Sequence, residues 1–152
     1  MHTDYIIFCK DIQTTEDGCK NILGTFTGVV EDKFPITIEF CLATLISIDD
    51  KDFELHNDEI NLKVEIDKDG EVFKVDVATV NSSCFTNDPQ NRVNFEKPIT
   101  HELDGPGKVT VTVSGNGLLL GRSSFLIVKE GEVYKSKTPQ DKVLHIGPMG
   151  SA

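Results

Sequence analysis

Side chains able to hold a hard cation are concentrated in one part of this 152-residue chain. Between Asp49 and Glu71 stand ten carboxylates (Asp49, Asp50, Asp52, Glu54, Asp58, Glu59, Glu65, Asp67, Asp69 and Glu71) against Lys51, Lys63 and Lys68, a local balance of −7. Calcium asks for several oxygens on a tight loop. Glu65, Asp67, Asp69-Gly70 and Asp76 have the spacing of a degenerate EF-hand loop. That loop begins with Glu and ends with Asp, and strand patterns flank it where an EF-hand needs helices. A hairpin turn is therefore the stronger reading of Asp67-Lys68-Asp69-Gly70. The calcium alternative that survives is a pooled site, with Asp49, Asp50 and Asp52 meeting Asp67 and Asp69 at one end of a β-sandwich. A solvated acidic surface competes with it.

Nucleophilic chemistry has one candidate pair. Cys84 stands in a polar stretch beside Ser82 and Ser83, with His101 17 residues on. A thiolate and an imidazole that meet in space would make a hydrolase, whatever their separation in sequence. The ordinary reading is a loop thiol and a surface histidine. His2, His56, His101 and His145 are too dispersed for paired zinc ligation. The third candidate is a binding surface: Phe85, Arg92 and Phe95 lie in the polar stretch from Val80 to Pro98, and aromatic and Arg side chains are the types that anchor interfaces. The competing reading is that both phenylalanines pin that stretch to the core.

The elements that must position these residues are strands. Period-two alternation dominates and helical periodicity is nearly absent. Asp4 to Lys10 reads as a first strand, Thr14 to Gly18 as a turn, and Cys19 to Val30 as a long second strand interrupted by Gly24 and Gly28. Phe34-Pro35 breaks the chain before Ile36 to Ile48, whose Ile36, Ile38, Phe40, Leu42, Thr44, Ile46 and Ile48 share one face. Glu59–Ile66 and Glu71–Thr79 form a hairpin around Asp-Gly. Val80 to Pro98 reads as a long loop with a short edge strand at Arg92 to Phe95. Lys108–Ser114 and Leu118–Lys129 form a second hairpin around Gly115-Asn116-Gly117. About seven strands with turn chemistry between them specify an all-β, immunoglobulin-like antiparallel sandwich. Its domain covers 1–130, and 131–152 reads as a flexible tail in which Val143, Leu144 and Ile146 offer one more edge strand.

Composition excludes several functions. The net charge of −10 disfavours nucleic acid, whose affinity rests on Lys and Arg at phosphates, and anionic membrane surfaces alike. A hydrophobic fraction of 38% with nine Phe is too apolar for a disordered acidic segment. Met1-His2-Thr3-Asp4 lacks the basic start of a secretory leader, which points to the cytoplasm. In that compartment Cys9, Cys19, Cys41 and Cys84 are expected to be free thiols.

Three stretches together resemble a known family: Phe8-Cys9-Lys10-Asp11 with Gly18-Cys19-Lys20-Asn21-Ile22-Leu23-Gly24-Thr25-Phe26; Phe34-Pro35; and Gly105-Pro106-Gly107-Lys108-Val109 with Leu119-Leu120-Gly121-Arg122. The pattern is similar to a bacterial family of small, uncharacterised cytosolic β-sandwich proteins, over roughly residues 4–130. The chain departs from that family at Lys108-Val109, where an aromatic is usual, and at Cys19 before the lysine. The resemblance implies a fold and carries no activity.

Taken together, these readings predict a non-enzymatic module for protein–protein interaction or assembly. Its partner is an unidentified protein or a second copy joined through Val143–Ile146, with no nucleic acid and no membrane. No cofactor is expected unless the acidic loops take Ca²⁺.

Overall fold

The computed structural model describes residues 1–48, 59–86 and 91–131, with the backbone of strand residues 133–134 and 144–145. Among the described residues the alternation seen in the sequence becomes twelve strands: β1 His2–Cys9, β2 Asp11–Thr14, β3 Lys20–Leu23, β4 Gly28–Glu31, β5 Ile36–Ser47, β6 Glu59–Lys68, β7 Glu71–Asn81, β8 Arg92–Leu103, β9 Gly107–Gly115, β10 Leu118–Lys129, β11 Val133–Tyr134 and β12 Leu144–His145. Among the described residues one helical turn, α1, covers Ser83–Thr86. No helix among the described residues is long and apolar enough to cross a membrane.

Two sheets carry the fold. One has the order β1-β5-β8 and the other β4-β10-β9-β6-β7. Every pairing in them is antiparallel except β4 with β10. β5 and β8 take the places of immunoglobulin strands B and E, β6, β9 and β10 those of C, F and G, and β7 that of C′. The first strand of the domain is split between the sheets: β1 pairs with β5, and β4 pairs with β10. The immunoglobulin-like sandwich expected from the pattern is the observed architecture.

The turns between the best-read hairpins follow their chemistry. Asp69 (φ 52°) and Gly70 (φ 92°), and then Asn116 (φ 49°) and Gly117 (φ 82°), occupy the left-handed region that a two-residue hairpin turn demands. Inward side chains of both sheets, among them Leu42, Ile60, Ile66, Val111, Phe125 and Ile127, form one buried cluster. At one end four rings bridge the layers. Phe125 of β10 lies 4.8 Å from Phe8 of β1, 5.3 Å from Phe40 of β5 and 5.2 Å from Phe26, each edge to face.

Several expected elements differ. The stretch from Cys19 to Val30 is not one strand: Gly24 (φ 68°) turns the chain between β3 and β4. β3 pairs only with β2, as a separate hairpin. The long loop expected from Val80 to Pro98 is shorter. β7 runs on to Asn81, and β8 pairs with β5 along its whole length, from Arg92 opposite Ser47 to Leu103 opposite Ile36. The polar run that hid this strand is its outer face, where Asn94, Glu96, Pro98, Thr100 and Glu102 are exposed. β8 is an edge strand, where Pro is tolerated. The edge strand expected near Val143 is present in part as β12, which pairs with β11 and not with a main sheet.

All four cysteines are free thiols. Cys9 faces Cys41 across the β1–β5 ladder. Burial, and next the Cys41 thiol beside it, push the Cys9 thiol above its ordinary value. Cys19 and Cys84 are exposed. Iodoacetamide at pH 8 therefore labels Cys19 and Cys84 at least roughly tenfold faster than Cys9, since a raised pKa and burial both lower available thiolate. Peptide mapping of a quenched time course checks the order, and equal rates would contradict this packing.

Candidate functional site

Among the described residues, those singled out in the sequence are not gathered into one place. Phe85 is fully buried and belongs to the core cluster. Phe95 is half-buried against the same core, opposite Thr44, and Arg92 opens β8 opposite Ser47. The two aromatic side chains therefore pin their segment and offer little surface. Cys84 is exposed on α1, just beyond the end of β7, whereas His101 stacks on Phe73 near the start of β7 at 4.0 Å and 8°. The eight residues from Phe73 to Asn81 span about 26 Å at ~3.3 Å each, so the fold sets this thiol and imidazole apart.

Asp67 and Asp69 are engaged in their own turn. The Gly70 N–H donates to Asp67 Oδ1 at 2.9 Å, and the Lys108 N–H donates to Asp69 Oδ1 at 3.1 Å. Asp69 N–H in turn donates to the Lys108 carbonyl at 2.9 Å, which staples the β6–β7 turn to β9. Asp76 faces inward and accepts from Lys97 Nζ at 2.8 Å, linking β7 to β8. Asp49, Asp50 and Asp52 lie outside the described residues. Among the described residues no three His, Cys, Asp or Glu side chains are grouped to hold a metal.

The notable opening arises where β1 ends. β5 runs from Ile36 to Ser47, but β1 covers it only from Ser47 to Cys41. Beyond Cys9 the chain leaves the sheet. Lys10 N–H donates to the Leu23 carbonyl at 2.9 Å, and the chain enters the separate β2–β3 hairpin, whose Lys20 Nζ reaches Glu96 of β8 at 3.3 Å. Among the described residues, 36–40 of β5 are therefore laddered only to β8.

The register shows which backbone groups face the gap. The Phe8 carbonyl accepts the Phe26 N–H at 3.0 Å, on the side of β1 away from β5. Backbone groups alternate along a strand, so Cys9 and its partner Cys41 aim theirs at each other. Two residues on, Glu39 points its N–H and C=O the same way, and Thr37 follows. Ile48 N–H donates to the Asn91 carbonyl at 3.0 Å, consistent with even-numbered residues facing β8. Among the described residues, no strand pairs with Thr37 and Glu39 on the open side.

A groove of about 610 Å³ occupies this gap. Its floor is apolar, made by Phe26, Phe40 and Phe125 with Ile38 and Val29. Its rim carries Lys10, Glu31, Thr37 and Glu39. Lys10 Nζ sits 5.9 Å from the centre of the Phe26 ring, within cation–π reach. The volume is within the ~300–1,000 Å³ range of ligand sites. Chemically, the arrangement offers backbone donors and acceptors beside an apolar trough, which is what an added β-strand requires. The sequence did signal it: a first strand of seven residues cannot cover an apolar segment of thirteen.

No curated protein matches the chain. Over residues 4–128 its sequence matches the model of a family of unknown function, DUF6941, and on that match the chain belongs to this family.

Proposed function

We propose that this domain is a non-enzymatic protein-interaction module that receives an extended segment of a partner protein on the open edge of β5. The observation that carries the reading is the early end of β1 at Cys9, which leaves the Thr37 and Glu39 backbone beside a trough floored by phenylalanines. Strand addition supplies affinity through main-chain hydrogen bonds and specificity through pockets for alternate side chains.

The outer edge of β7, which pairs with no strand among the described residues, is a weaker candidate, although Val75 and Val77 are exposed on it. Lys74 and Asp76 point inward from that strand, opposite Ile66 and Val64, and inward charges are a common guard against sheet extension. The calcium alternative has less support, because Asp67 and Asp69 already serve their turn. We also place the protein in the cytosol of a bacterium. Four free thiols support the compartment, and the resemblance of the strand motifs supports the source.

The test is affinity capture from the source organism, with the intact chain and its Glu39→Pro variant as paired baits. Proline removes the N–H that an added strand would use and leaves the β8 ladder intact. A partner retained by the native chain and lost by Glu39→Pro supports the proposal. An identical set of captured proteins on the two baits would overturn it.

A further inference from the structure

The groove also constrains what its partner looks like. Resting on the strand-addition reading, we infer that the segment it takes is a β-strand antiparallel to β5, with a basic residue opposite Glu39 between two apolar residues opposite Ile38 and Phe40. The added strand continues the line of β1, which runs antiparallel to β5. Opposed residues in a sheet share a face, so the partner's side chains divide as those of β5 do. Ile38 and Phe40 are buried on the core side, and the trough there is lined by Phe26 and Phe125. A residue opposite either one enters that trough and must be apolar, because a polar group there finds no partner for its hydrogen bonds.

Glu39 lies on the other face and is exposed. Its carboxylate and that of Glu31 stand on the rim, while the rim ammonium of Lys10 sits over the Phe26 ring. A Lys or Arg directly across from Glu39 makes a favourable cross-strand pair, and an acidic residue there meets like charge. The field of the whole chain acts in the same sense. A net charge of −10 attracts a basic segment and repels a second copy of this acidic chain. The occupant is therefore a basic, alternating segment of another protein.

A random heptapeptide library displayed on phage tests this, panned in parallel on the full chain, on Glu39→Lys and on Glu39→Pro, with circular dichroism confirming that each bait is folded. The native chain enriches sequences with Lys or Arg between two apolar residues. Glu39→Lys shifts the central position toward Asp or Glu, changing the basic-to-acidic ratio by roughly fivefold or more, as expected for reversing one cross-strand pair. Glu39→Pro returns only background. If alternating peptides are enriched on the native chain with no preference at the centre, or with one that Glu39→Lys leaves unchanged, this assignment of partner chemistry fails and strand addition stands. If the native chain enriches nothing beyond Glu39→Pro, both readings fail together.

Discussion

Replacing Phe125 with alanine lowers the unfolding free energy by about 3–5 kcal/mol, the usual cost of emptying a buried phenylalanine site. Phe125 is 1% exposed and meets three other rings edge to face. Each such contact adds ~0.5–1.5 kcal/mol beyond buried area. Its position also matters. Phe8 and Phe40 belong to the three-stranded sheet and Phe125 to the five-stranded one, so this ring joins the layers where β1 leaves the sheet. A domain of this size has a total stability of roughly 5–15 kcal/mol. The loss is therefore a large share of the whole, and the thermal midpoint drops by roughly 10 °C. Calorimetry measures it directly. Phe26→Ala is the internal comparison. Phe26 is only half-buried, because one side of its ring borders the groove, and the variant should lose less than half as much. Equal losses would mean that the groove is closed in solution, and a loss below about 1 kcal/mol for Phe125→Ala would contradict the quartet itself.

What the sequence made legible follows from where alternation is strict. β5, β6, β9 and β10 each bury one face against the core, so apolar residues recur at every second position and their strands were readable. The two hairpin turns were readable because Asp-Gly and Asn-Gly are chemically suited to two successive left-handed residues. β8 was missed beyond its first residues because its outer face carries Asn94, Glu96, Pro98 and Thr100, which read as loop. Only its pairing to β5 reveals it as a strand, and pairing is a tertiary fact. The split of Cys19–Val30 was hidden for a related reason. Both halves alternate, and nothing local says that Val29 joins one main sheet while Ile22 pairs in a separate hairpin.

The candidate site was legible least. Reading functional residues by type drew attention to Phe85, Phe95, Asp67 and Asp69, whose side chains in the fold serve packing and a turn. The groove is defined instead by a length mismatch between β1 and β5. Its rim residues, Thr37 and Glu39, look like ordinary outward positions of a strand. Their significance is in the backbone, which has no signature in side-chain chemistry.

That backbone argument predicts a period-two response to proline along β5. Thr37→Pro and Glu39→Pro leave the domain folded, with stabilities within about 1 kcal/mol of the alanine variants at the same positions, because the N–H removed faces the open edge. Ile38→Pro and Phe40→Pro instead delete a ladder bond to β8. Each orphans a buried carbonyl at a cost of ~1–3 kcal/mol, and the pyrrolidine ring crowds the neighbouring strand. Ile38 pairs with His101 and Phe40 with Ile99, so both losses fall within the β5–β8 ladder that holds the edge of the sandwich. Added to the lost side-chain burial of about 2–5 kcal/mol, the penalty is enough to unfold a domain of ordinary stability. Comparing proline with alanine at each position cancels much of the side-chain term and isolates the backbone effect. Urea titrations of the eight variants measure it, with a steady slope of unfolding showing that the comparison is between like states. An alternation of low cost at 37 and 39 with high cost at 38 and 40 establishes that the edge is open in solution. High cost at all four positions would show that another segment of the chain pairs there, and the groove would then be filled by the protein itself.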